Sequence, residues 1–226
     1  MVFKRIISTL TVVALLSLPA AMVSCGVSAL NNGYGADTGD GISDQMEKEG
    51  TGILFPEKGS SGALGIFEFI TDEFAHTLSE LYDASDAVVL GTVVKDDEQY
   101  KNEGSELENA LSELEIERVW KGDIKDGETV SIHETGWRYD DGKSASVGGE
   151  PVLRKGMKVV LFLGPSREGE RWIKNSFQGK FIVDGQGIVH SYEYFSDDNE
   201  FSYLDDVGET VLLTDLAATL DGLAEK

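Results

Sequence analysis

Two stretches of the chain are apolar at almost every position, DAVVLGTVV (86–94) and MKVVLFL (157–163). Runs this short and rich in β-branched residues predict well-buried strands. Between them the pattern changes to strict alternation. In SELEIERVW (112–120), Leu114 and Ile116 share one side and Glu113, Glu115 and Glu117 the other. ETVSIH (128–133) repeats the period, with Val130 and Ile132 inward. Both read as strands with one wet face. RWIKNSF (171–177), GKFIV (179–183) and GIVHSY (187–192) complete a β-rich set, and Phe67 and Phe69 around Glu68 suggest a further short strand. Asp184-Gly185 with Gly187 marks a tight hairpin, Asp141-Gly142 a second turn, and Lys121-Gly122-Asp123 with Lys125-Asp126-Gly127 brackets a third.

Helical periodicity occurs twice. Phe74, Leu78, Leu81 and Tyr82 fall on one face, with Thr71 as the expected N-cap and an end near Ser85. Near the C-terminus, Leu216, Leu220 and Leu223 form one stripe, with Thr214 as the expected cap. Many short strands with closely spaced turns and two flanking helices predict a mainly β domain, a small OB-like β-barrel, over 66–226. A sandwich is the alternative arrangement. The core should contain Val89, Val93, Ile116, Val130, Val160, Phe162 and Phe181.

The first 65 residues follow other rules. Met1 to Arg5 is a basic start, Ile6 to Val23 carries no charge, and small residues follow. That is the layout of a secretory signal, here 1–24. Cys25 is the single cysteine of the chain, so disulfides cannot hold the fold. Residues 26–65 contain ten glycines with Asn, Asp and Ser, and no apolar period. A tether over 25–65 is expected, with a reach of about 35 Å.

Charge narrows the partners. The chain holds 41 acids and 19 bases; losing Lys4 and Arg5 with the leader leaves 17 bases and a net −24. Such a surface does not neutralise phosphates, so nucleic acid is not expected as a partner. GWRYDDGKS (136–144) misses the phosphate-loop spacing by one residue and lies in a hairpin context, so no nucleotide is expected either. His76, His133 and His190 are far apart and lack a ligand partner at helical spacing. There is no G-x-S-x-G nucleophile elbow. No cofactor and no catalytic residue is assigned, and the chain reads as a non-enzyme.

Three resemblances sharpen the picture. Met22-Val23-Ser24-Cys25 resembles the lipobox of bacterial lipoproteins, which implies a diacylglyceryl group on Cys25 and an extracytoplasmic domain anchored to the membrane. Two acyl chains anchor stably where one does not. The order SDAVVLGTVV, IERVWKGDI, GETVSI, GMKVVLFL resembles a bacterial secreted family whose core is the netrin-like, or TIMP-like, form of the OB-fold. SFQGKFIVDGQG (176–187) is similar to the C-terminal hairpin of bacterial lipoproteins with that core. Animal members inhibit metalloproteases through an N-terminal cysteine held in a disulfide. Here that cysteine would carry lipid, so the inhibition does not transfer. ADTGDGISDQME (36–47) resembles an acidic calcium loop, with Asp40, Asp44 and Glu47 at ligand positions. Ala36 and Thr38 occupy two others, so no tight metal site is expected.

OB-type barrels bind ligands on aromatic faces. Trp137 and Tyr139 precede the Asp141-Gly142 turn and are the candidate binding face, placed near a loop tip. SYEYFSDDNEFSYLDD (191–206) adds aromatics that either close the core or face a ligand. The expected function is a cell-surface lipoprotein whose barrel is a non-catalytic binding or interaction module for a protein or carbohydrate. The alternative is a secreted hydrolase using surface carboxylates. The anchor is directly testable: Cys25→Ala should move the protein out of the membrane fraction, and a wild-type intact mass without added lipid would refute lipidation.

Overall fold

The computed structural model describes residues 53–63, 74–101, 108–146, 149–175, 177–195 and 204–226. Contacts divide the chain into Met1–Gly41 and Ile42–Lys226, and every described residue lies in the second unit. That unit is mainly β. Its strands are β1 (Ser61–Ala63), β2 (Ala87–Lys101), β3 (Glu108–Lys121), β4 (Thr129–Arg138), β5 (Ser144–Ser146), β6 (Lys158–Leu163), β7 (Glu170–Trp172), β8 (Lys180–Val183), β9 (Ile188–His190) and β10 (Thr210–Leu212). The helices are α1 (Leu78–Ala84), the single turn α2 (Tyr192–Phe195) and α3 (Leu213–Ala224).

The strands form one sheet in the order β1-β5-β4-β3-β2-β6-β8-β9-β10, with β7 beside β4. The sheet is not closed. Most neighbours are antiparallel, while β4 and β7 run parallel over three residue pairs. One isolated bridge, Leu163 to Ile173, links the end of β6 to the residue after β7.

The longest pairing, β2 with β3, is interrupted by four register shifts. Such irregularities bend a strand and let one sheet wrap a core. Gly91 sits at one of them. A Cβ there would lie 2.5 Å from the Glu115 carbonyl oxygen and 2.9 Å from Leu114 Cγ, so only glycine permits the approach.

Two cores flank the sheet, which explains the continuous apolar runs. On one face Val89, Val93, Ile116, Val130, Val159 and Leu161 pack together. On the other, Val88, Leu90, Val160, Phe162 and Phe181 meet α1 and α3. Alternate residues of β6 and of the first half of β2 therefore serve different cores, while β2 beyond Val94 turns polar and partly exposed. All seven expected core residues are buried.

The helices differ from expectation in their starts. α1 begins after Thr77, whose hydroxyl accepts from Glu80 N at 3.2 Å, while Glu80 Oε2 accepts from His76 N at 2.7 Å. This reciprocal box lies six residues after Thr71, which is outside the described residues; Phe74 precedes the helix and packs on Phe177. α3 begins at Leu213 with Leu212 as a cap that makes no side-chain bond, so Thr214 is inside the helix. Leu216 and Leu220 are buried as the stripe requires. Asp221 accepts from Trp120 Nε1 at 3.0 Å and pairs with Arg118 at 2.5 Å, pinning α3 to β3.

The tether boundary also moves. Residues 53–63 belong to the folded unit: Leu54 and Phe55 pack on the first core, Leu54 N donates to Gly156 O, and β1 pairs with β5. Three consecutive apolar residues, Ile53, Leu54 and Phe55, leave no period to read in a glycine-rich run, yet two of them pack on the core beside the backbone bonds that dock the segment. The Phe67–Phe69 strand lies outside the described residues.

Inside the sheet, polar groups replace apolar ones at one end. Lys180 is buried, and its ammonium donates to Glu134 Oε2 at 2.7 Å and to Pro151 O at 2.8 Å, with Glu150 Oε1 at 3.4 Å. Glu134 Oε1 also accepts from Leu153 N, and Glu150 Oε2 from Ser146 Oγ. Burial works against the charge, but the two carboxylates outweigh it and hold the ammonium above its ordinary 10.5. Arg138 lies buried nearby and donates to Ser112 Oγ and to the carbonyls of Leu153 and Leu111.

Removing the ammonium alone strands two buried carboxylates. Lys180→Met should therefore cost about 3–5 kcal/mol in a urea melt. Because the folded value is raised, Lys180 stabilises fully below about pH 10.5 and its contribution fades as pH climbs through the folded value. Wild type should lose stability steeply in that alkaline window, and Lys180→Met should lack that component. A variant as stable as wild type, or an unchanged alkaline slope, would refute the role.

Candidate binding face

Residues at alternate positions of a strand share a face. On β4, Val130 and Ile132 join the first core, and Glu134 meets Lys180. The opposite side carries His133, Thr135 and Trp137. Register brings two more aromatics to it. Trp172 of β7 is paired with His133, and Tyr100 near the end of β2 lies in one row with Asn109 and Thr135.

The centre of this face is built around His133, which is buried. Its imidazole lies 4.8 Å from the Trp172 ring at 32° and 5.7 Å from the Tyr100 ring at 74°. Aromatic pairs at such offsets contribute about 0.5–1.5 kcal/mol each beyond burial. Tyr100 Oη and His133 Nδ1 are 3.0 Å apart. Burial and the negative charge of Glu170 both push the Tyr100 phenol up, so it keeps its proton at neutral pH. Glu170 Oε2 is 2.6 Å from Nε2, a contact that is an ion pair only when the ring is protonated, and Nε2 makes no aligned hydrogen bond.

The chemistry follows from these positions. The phenol is held protonated, which disfavours a tyrosinate nucleophile. The imidazole is enclosed and cannot easily meet a substrate. Trp172, by contrast, is 37% exposed while resting on a fixed ring. The cluster can present an indole in one orientation, beside a half-exposed carboxylate, to a ligand that stacks.

Trp137 is not at a loop tip. It is half-buried within β4, opposite Ala145. Tyr139, 45% exposed, does sit at the β4–β5 hairpin, where its N–H donates to Lys143 O. The strand therefore places Trp137 on the His133 side, about 13 Å along at the usual rise of roughly 3.3 Å per residue. Tyr139 lies beyond the end of β4.

The other candidates sort as follows. Tyr192 and Phe195 are buried, and Tyr194 packs on Phe55 and His190, so the described aromatics of 191–206 close the core. His190 also pairs with Asp184 at 3.1 Å within the β8–β9 hairpin. Burial raises the Asp184 carboxyl, but bonds from Ile188 N, His190 and Gln186 N bring it below its ordinary range. His76, His133 and His190 do not meet, and no group of three or more His, Cys, Asp or Glu suited to a metal occurs among the described residues. Cys25, Asp40, Asp44 and Glu47 lie outside the described residues.

Tyr100, Glu170 and His133 escaped the sequence reading as a group because they come from three strands. The available signal was parity: His133 and Trp137 stand four apart on a strand that alternates. Compared with known proteins, the chain matches no family model and no curated protein.

Proposed function

We propose that the protein is a bacterial lipoprotein held to the membrane through Cys25, whose β domain is a non-catalytic binding module for a carbohydrate or a protein. The domain is read as an OB-like barrel of the netrin-like kind. Its ring would run β2-β3-β4-β7-β6, closing through the parallel β4–β7 pairing and the Leu163–Ile173 bridge. A partly open five-stranded barrel is the OB form, and it binds ligands on the face of its second and third strands. In this ring those are β3 and β4, the strands that carry His133 and Trp137.

The observation that carries the reading is Trp172, exposed and stacked on an imidazole that Tyr100 holds in place. An indole held against a fixed ring but more than a third exposed leaves part of its surface free for a stacking contact. The net charge of −22 favours an uncharged or basic ligand over a polyanion.

Three variants test it on a glycan array and on solubilised cell-envelope fractions. Trp172→Ala should abolish the dominant binding signal in protein that remains folded at the assay temperature. Trp137→Ala should weaken the same signal. Val160→Ala should cost about 1.5–3 kcal/mol and leave affinity unchanged where folded. The reading fails if folded Trp172→Ala binds as wild type does.

A further inference from the structure

A strand edge with an adjoining groove lies at the opposite end of the sheet order from β1. Among the described residues β10 is the last strand of that order, and it pairs with β9. Its flanking hydrogen bonds fix the direction of its backbone. Ser191 N donates to Glu209 O at 3.0 Å, and Leu213 N to Gly187 O at 2.9 Å. In an antiparallel pair, bonded and non-bonded positions alternate. With Thr210 opposite His190 and Leu212 opposite Ile188, the bonded positions are 209, 211 and 213. Thr210 therefore turns its N–H and C=O away from β9 and Leu212 its N–H, while the Leu212 carbonyl, at the N-cap of α3, begins the hydrogen bonds of the helix. Both residues are exposed, and Leu212 at 52% is the most exposed large apolar side chain among the described residues.

A groove of about 380 Å³ meets this edge at Leu212 and runs past Leu90, Trp120 and Ala217, with Arg118 on its wall. Arg118 is already committed to Asp221 and to the ring of Trp120. Exposed acids, Glu209 and Asp215, stand on either side of the edge in sequence.

We propose that the outward edge of β10 and the adjoining groove accept an extended segment of a partner protein, apolar at alternate positions and basic between them. The outward N–H and C=O of Thr210 and the outward N–H of Leu212, two residues on, match the spacing at which an added strand bonds to an edge. The groove takes the apolar side chain. Glu209, Asp215 and the net charge of −22 select the basic ones and disfavour a second copy of this chain. The site is independent of the β4 face.

The probe is a short capped peptide alternating lysine with valine, added to the full chain and followed by amide hydrogen exchange. The Thr210 and Leu212 amides should slow by about tenfold or more. A peptide of the same composition, with lysines and valines in separate blocks, should not protect them. Leu212→Pro is the matching variant: Leu212 has φ −68°, which proline adopts, and its N–H points outward. It should weaken peptide binding about tenfold, the worth of one lost main-chain bond, and more than Leu212→Ala does. Trp172→Ala should bind the peptide as wild type does. If Leu212→Pro does not fold, protection in the wild type decides alone. Absent protection, equal protection by the block peptide, or unchanged binding by folded Leu212→Pro would overturn the proposal. So would protection without peptide that grows with protein concentration, since the occupant would then be a second copy.

Discussion

The ammonium of Lys180 is the fixed point of this structure. It ties β8 to β4 through Glu134 and to the segment before β6 through Glu150 and the Pro151 carbonyl. The Glu150 carbonyl in turn accepts from Ser61 and Ser146, so β1 and β5 hang on the same node. A buried ion cluster of this kind need not add net stability over an apolar packing. What it adds is direction. Glu134 must face Lys180, and alternation then obliges His133 to face the other way.

That obligation links the interior to the proposed binding face. With β4 fixed in rotation, His133 has one place to be, and Trp172 and Tyr100 arrive through strand register. The protonated Tyr100 phenol and the Glu170 carboxylate settle the ring between them. The face is thus the outer consequence of an inner charge constraint. The β10 edge owes nothing to that node; it depends on Trp120 and Asp221 holding α3 against β3.

Much of the fold was legible because burial writes itself into period. Leu114 and Ile116 against Glu115 and Glu117 announced β3, and the near-continuous apolar runs announced buried strands; that each serves two cores shows only in the structure. Three-residue strands such as β1, β5 and β10 carry too few positions for any period to appear. The helix starts were misread for a related reason. Thr71 and Thr214 have the chemistry of caps, yet caps are chosen by where the helix docks, which is a tertiary fact. Trp137 and Tyr139 looked equivalent beside a turn, but β4 extends to Arg138, so one is in the strand and the other beyond it.

The central claim is that a charged Lys180 sets the rotation of β4 and hence the display of Trp172. It is tested most directly by following the Lys180 side-chain signal and the Trp172 indole N–H together by NMR as pH rises. The ammonium should remain protonated through pH 10.5, and the two signals should change together, at the alkaline transition that unfolds the domain. A Lys180 that loses its proton below that value in the folded state while Trp172 stays unmoved would contradict the account.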